Sequence, residues 1–205
     1  MAISLSFFTG CKQDDGTNKL PILGNSTIQE GPNNEIDTLY HQVSDFKFWD
    51  QDSLMVTQND FEGKIYVADF FFTSCPTICP KMKFEMLRVY EAYKDQDDVL
   101  LLSHTIDPVH DTIPLLKSYA EQLGVKGPKW RFVTGPQDDI YELGQGSYMV
   151  STGEDKFSPG GFMHSGAFIL VDKNRRIRGV YDGTKSDQVD QLINDIPLLL
   201  KEYQN

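Results

Sequence analysis

Cys75 and Cys79 stand in the run Phe72-Thr73-Ser74-Cys75-Pro76-Thr77-Ile78-Cys79-Pro80. Two thiols this close serve as soft metal donors or as a pair that opens and closes a disulfide. Residues 64–73 ahead of them, aromatic and β-branched, read as a strand covered on both faces, and residues 82–93 behind them as a helix. Positions i and i+4 of a helical turn face the same way, so the spacing predicts both sulfurs on one side of the first turn. A helix N-terminus favours the thiolate. Pro76 and Pro80 restrict the backbone there, and proline is tolerated in a first turn. The bland alternative is a structural pair inside a helix.

A third donor is available in His164, in the Gly-rich stretch 158–166 that enters a strand at 167–171. Two thiolates and an imidazole suit Cu(I), tolerate Cu(II) with an added oxygen ligand, and also suit zinc. Asp107 ends a strand on the side of Cys75 and is the candidate for orienting His164 or a ligand, while Asp111 and Thr112 read as caps of the helix beginning at Ile113. His104, inside a core strand, reads as a hydrogen-bonded packing residue, and His110 as facing solvent; His41 falls outside the motifs. Met82 and Met163 flank the candidate ligands and read as packing.

The elements that must carry these residues follow from periodicity and turn chemistry. A short hairpin is expected over 46–56, strands over 64–73, 99–106, 130–133, 167–171 and 176–181, and helices over 82–93, 113–123, 138–144 and 188–200. In the first helix Phe84, Leu87, Tyr90 and Tyr93 lie near one face. The order predicts an α/β fold, a thioredoxin-like central sheet flanked by helices, with an N-terminal hairpin. Residues 12–40, rich in Asn, Asp, Gly and Pro without a sustained period, read as a flexible tether, and 41–205 as the folded domain.

Thirteen Phe, 9 Tyr and 2 Trp among 205 residues exclude wholesale disorder. A net charge of -11 is the wrong sign for gripping nucleic acid. An acidic surface can repel the wrong partners or fit a basic docking face, and no sequence feature identifies that face. No apolar run reaches the roughly 20 residues that cross a bilayer. The uncharged start MAISLSFFTG lacks the basic residues of a complete signal peptide, yet Phe8-Thr9-Gly10-Cys11 resembles the lipobox of bacterial lipoproteins, with Phe8 in place of the usual Leu. Residues 1–11 are then the remnant of a lipoprotein signal and Cys11 the acylated residue; the alternative is a tail with an incidental thiol.

Three separated motifs occur in order: the Cys75–Cys79 run, then Thr105-Ile106-Asp107-Pro108-Val109-His110-Asp111-Thr112, then His164 before Phe168-Ile169-Leu170-Val171-Asp172. Together they closely resemble the Sco/SenC family of copper proteins that support cytochrome c oxidase assembly, over roughly residues 41–202. The resemblance implies a thioredoxin-like fold with an inserted hairpin and Cys75, Cys79 and His164 as ligands of Cu(I) and Cu(II). It implies a metallochaperone for the dinuclear CuA centre in oxidase subunit II, served by other copper chaperones or thiol reductants. The alternative is a thiol-disulfide oxidoreductase that reduces the CuA-site cysteines, or a redox or copper sensor. It also implies a periplasm-facing protein anchored to a bacterial membrane, to which Cys11 supplies the lipid version. Three residues between the cysteines, instead of the two of thioredoxins, count against a general oxidoreductase. A peroxidase would need Thr three places and Pro seven places before its cysteine, where Cys75 has Phe72 and Ala68.

Overall fold

Strand β5 (Ile65–Phe71) is buried at every position, as a run apolar but for Asp69 requires of a strand covered on both faces. The computed structural model describes residues 19–31 and 35–204; Cys11 and the rest of the 1–11 segment lie outside the described residues, as does the imidazole of His164. From β5 the chain passes through α1 (Cys79–Tyr93) to β6 (Val99–Thr105), and through α2 (Ile113–Leu123) to β7 (Trp130–Thr134), giving three parallel strands. After α3 (Gln137–Glu142), the strands β10 (Ala167–Val171) and β11 (Ile177–Asp182) add antiparallel to the β5 edge, and α4 (Ser186–Lys201) closes the fold. The expected hairpin is β3 (Lys47–Asp50) and β4 (Met55–Thr57), which extends the β7 edge. Its turn is held by the Asp50 carboxylate, which accepts the amides of Asp52 and Leu54 at 2.9 Å each. The seven-stranded order is β11-β10-β5-β6-β7-β3-β4.

Right-handed crossovers put α1 and α2 on one face, where α4 joins α1 through Tyr93, whose hydroxyl donates to the Ile193 carbonyl at 2.5 Å. The buried stripe of α1 is Met82, Met86, Val89 and Tyr90, one step round from the expected Phe84, Leu87, Tyr90, Tyr93 face; Phe84 is exposed. Cys79 at the start of the helix sets this register, and the adaptable methionine chains fill it. On the other face the helix expected to run to Gly144 ends at Glu142 and widens into a π-turn, Leu143–Ser147. A Cβ at Gly144 would lie 2.7 Å from the Thr152 hydroxyl, so only a bare backbone fits against the sheet there.

His104 is fully buried on that face, stacked on Phe70 and met edge-on by Phe46 and Phe48. The expected hydrogen bond is missing: among the described residues neither ring nitrogen has a partner. Burial pushes its pKa down to about 3 from the ordinary 6.5, so the folded chain holds it neutral. A base depressed in the folded state stabilises fully above the unfolded value and loses that contribution as pH falls from 6.5 toward 3. Replacing His104 with Leu should therefore flatten the acid limb, with a relative gain of roughly 2–3 kcal/mol near pH 4.5 against pH 7.5 in urea unfolding. An unchanged pH slope would count against a neutral, unpartnered ring.

The span 12–40, expected as a tether, carries structure in its described part. Arg178 donates to the carbonyls of Leu20 and Pro21, Glu202 accepts the Leu20 amide at 2.9 Å, and Leu23 bridges to Ile177. Beyond it β1 (Ser26–Glu30) and β2 (Ile36–Tyr40) form an antiparallel ribbon. Both its faces are largely exposed, which removes the apolar alternation that marks a strand in sequence.

Candidate metal centre

The thiols lie at the C-terminal end of β5, where ligands gather in open α/β sheets. They do not share a helical turn. Cys79 is the first residue of α1, whereas Cys75 sits in the loop before it, with its amide on the Phe72 carbonyl at 3.3 Å. The loop folds back so that the Cys75 sulfur lies 3.7 Å from the Thr77 hydroxyl and feels the Thr77 and Cys79 amides and the Cys79 thiol, all of which favour its thiolate. Proline at 76 and 80 makes the geometry accessible, since neither position offers an amide proton that would need another partner.

Both cysteines are buried and no disulfide joins them. Their acidities diverge. Burial pushes the Cys75 thiol up, but the two amides, the Cys79 thiol and the Thr77 hydroxyl outweigh it, leaving Cys75 below the ordinary value. Burial raises Cys79 strongly, with the Phe72 amide opposing and the negative charges of Cys75 and Asp69 adding to the rise. Cys75 is thus the first thiolate, and Cys79 ionises when a cation or a disulfide bond takes its sulfur.

Asp69 was not singled out in sequence, although an acid within the apolar run 64–73 was the available signal. It alternates onto the α1 side of β5 and accepts a hydrogen bond from the Ser103 hydroxyl, which in turn accepts the Trp130 indole N–H at 2.9 Å. Burial pushes its pKa up to about 7, with the Ser103 bond opposing. Asp69, Cys79, Met82 and Tyr119 border a void of about 10 Å³, the scale of a single water. Met82 is core packing, as read; Met163 is 44% exposed and packs little.

Asp111 does not cap α2: Thr112 holds the N-cap position and makes no side-chain bond there. The Asp111 carboxylate is instead fully buried and accepts the Thr73 amide at 3.0 Å, the Thr73 hydroxyl, the Thr105 hydroxyl at 2.6 Å and bonds His110 Nδ1 at 3.0 Å. It ties the thiol loop to the end of β6. That bond raises the half-exposed His110 above its ordinary pKa. The Asp107 carboxylate accepts the His110 amide at 3.3 Å and so closes its own turn, and His41 bonds the Ser147 carbonyl at 2.6 Å. Asp111→Ala would strand the half-buried Thr73 amide and hydroxyl and the buried Thr105 hydroxyl. Unfolding stability should drop by roughly 2–4 kcal/mol, and iodoacetamide should reach Cys75 faster. Wild-type stability in that variant would remove Asp111 as the tie.

Two features bring the His164 segment to the thiol loop. Its backbone belongs to β9 (Phe162–His164), paired with β8 (Thr152–Glu154), a ribbon where a plain loop was expected. Phe162 packs on Phe72 with ring centroids 5.1 Å apart, and a Cβ at Gly166 would lie 3.6 Å from Ile78 Cδ1. Residues two before and two after His164 therefore meet the two flanks of the cysteine loop. Gly160, at φ +83°, closes the turn ahead of β9; a Cβ there would lie 2.8 Å from Phe72 and 3.2 Å from Pro76.

Among the described residues no three Cys, His, Asp or Glu side chains form a metal-sized group. The donors present are two buried sulfurs at a helix start, not joined in a disulfide and one of them acidified, a set that fits a soft monovalent ion and leaves coordination open for a further nitrogen or oxygen. No helix among the described residues is long and apolar enough to cross a membrane.

The SCO1/SenC family model matches residues 35–201. A SCO1 protein homolog of Bacillus subtilis is 31% identical over 166 residues, spanning 78% of this chain and 83% of that protein. The solved structure of BsSco, described with a disulfide switch and as a member of the Sco family of cytochrome c oxidase assembly proteins, is 28% identical at a TM-score of 0.68, covering 78% of this chain and 93% of that one. The structure of Bradyrhizobium japonicum ScoI with copper bound is 24% identical at a TM-score of 0.64, covering 77% and 98%, and shares the fold.

Proposed function

The chain belongs to the SCO1/SenC family, and from that premise we propose that it is a copper metallochaperone for the CuA centre of cytochrome c oxidase. Cys75, Cys79 and His164 hold the cargo, Cu(I) or Cu(II), and release it by ligand exchange to the cysteines of oxidase subunit II. The observation that carries this reading is the pair of buried sulfurs, not joined in a disulfide, at and just before the start of α1, a two-sulfur donor set beside the His164 segment. Copper supplies the soft Lewis acid; the chain supplies the first thiolate at Cys75, a second sulfur whose proton leaves on binding, and a buried floor that excludes water. Asp111 keeps the loop in place through Thr73, and Asp107 would act through the turn it closes rather than as a donor. Acylation of Cys11 would hold the protein on the periplasmic side of a bacterial membrane, where the recipient subunit and copper or thiol donors are met.

A second reading is favoured by the unequal thiols. The Cys75 thiolate attacks a disulfide of the recipient site, forming a mixed disulfide and releasing one recipient thiolate. The Cys79 thiolate then attacks Cys75, releasing the second, so the recipient gains two electrons and this chain ends as the disulfide. One experiment separates the two. Copper-loaded wild-type and His164→Ala proteins are mixed with a reduced apo CuA fragment, and copper-free reduced proteins with the oxidised fragment. The chaperone reading expects CuA absorbance from wild type, loss of it in His164→Ala, and little dependence of disulfide reduction on His164. Undiminished metal transfer by His164→Ala would overturn the ligand set.

A further inference from the structure

The thiols mark one end of β5; the other end, at Ile65, lies beside the β10–β11 turn, since Val171 pairs with Tyr66. Seven residues of strand separate the two poles by roughly 20 Å. Everything entering from the amino-terminal side arrives at the second pole. Leu20, Pro21 and Leu23 are held by Arg178, Glu202 and Ile177, and Val43 leaves the ribbon through a 2.8 Å bond from its amide to the Arg175 carbonyl.

The β1–β2 register sets Ile28, Ile36 and Tyr40 on one face, with Ile28 69% and Ile36 72% exposed. The Arg176 guanidinium lies over the Tyr40 ring, 4.6 Å from its centroid. Among the described residues its Nε is buried without a hydrogen-bond partner, and it forms no ion pair, unlike Arg175 and Arg178. Four of the chain's 19 Lys and Arg fall within residues 173–178; Lys173, Arg175 and Arg178 are paired with Asp98, Asp45, Asp172 and Glu202, which leaves Arg176 as the cation of this group that no described carboxylate neutralises. Isoleucines outermost, then a tyrosine ring with a guanidinium stacked on it, is the layering of a lipid interface: apolar tips at the acyl boundary, ring and cation at the phosphates. Only eight residues lead from Cys11 to Lys19, at most roughly 28 Å when extended.

We propose that the β1–β2 ribbon and Arg176 rest on the surface of the lipid bilayer, with the thiol pole directed away from it. The proposal rests on the Cys11 anchoring described above for its orientation in the cell, but its contact is measurable without the lipid. The full chain carrying Cys11→Ser is centrifuged with sucrose-loaded vesicles of phosphatidylcholine and phosphatidylglycerol, alone and with Ile28→Ser plus Ile36→Ser, or with Arg176→Gln. Binding by the Cys11→Ser chain, weakened about tenfold or more in either variant, supports it. Hydrogen–deuterium exchange of the Cys11→Ser chain supplies a footprint independent of ribbon variants that fail to fold. Slowed exchange over 26–31 and 35–40 on adding vesicles, with the thiol loop unchanged, is expected. No vesicle binding, equal binding by the variants, or protection that grows with protein concentration in the absence of lipid, which would mean a second copy on the ribbon, overturns it. The mass of Cys11 in membrane-extracted protein tests the anchor separately.

Discussion

Cys75→Ser and Cys79→Ser should each lower Cu(I) affinity by at least roughly 10³-fold, with the chain still folded. A serine hydroxyl is a hard donor that keeps its proton at neutral pH, so either substitution leaves one sulfur where a soft ion needs two. The two losses differ in kind. Removing Cys75 takes away the acidified sulfur and the acceptor of the Thr77 and Cys79 amides, so the loop loosens as well. Removing Cys79 leaves those amides nearly undisturbed but puts a hydroxyl beside Asp69 in the small void. Anaerobic competition against a chromophoric Cu(I) chelator reads both. Wild-type affinity in either variant would take that sulfur out of the donor set.

Asp69→Asn should stabilise the protein by roughly 2–4 kcal/mol near pH 8 and leave it nearly unchanged near pH 4. The sign follows from the raised folded value. Below 3.8 the carboxyl is protonated in both states and costs nothing; between 3.8 and about 7 the unfolded chain ionises while the folded one keeps its proton, so stability falls as pH rises, and above that the full cost is present. Asparagine retains the oxygen that accepts the Ser103 hydroxyl. Urea unfolding across this range measures the difference, and a gain independent of pH would show that Asp69 does not titrate in the folded state. His104 tilts stability the other way over the same interval, so the wild-type profile is flatter than either group alone would make it.

Patterns that report burial were legible. The apolar run of β5, the start and end of α2 from Ile113 to Leu123 with Gly124 beyond in a left-handed turn, and β10 over 167–171 came through because composition and punctuation agreed there. The ordered motifs gave the family, and the spacing of Cys75 and Cys79 gave the pair. The geometry behind that spacing was not legible: i and i+4 fit a helical turn equally well as a loop folded onto a helix start, and two prolines suit both. Asp111 was misread because an Asp-Thr step before a helix is a common cap, and nothing local reveals that Thr73, far back in the chain, takes the carboxylate. The β1–β2 and β8–β9 ribbons escaped for one reason: each is two strands with little apolar inside, so their pairing leaves no period in the sequence.

The clasp of Arg178 and Glu202 on Leu20 and Pro21 also has a mechanical consequence. Tension applied to the chain ahead of Leu20 would load this guanidinium and carboxylate first, in shear against the outer strand β11, two strands away from β5 and the thiol loop that follows it. A pull from the amino-terminal side would therefore spend itself on this clasp before it reached the two sulfurs.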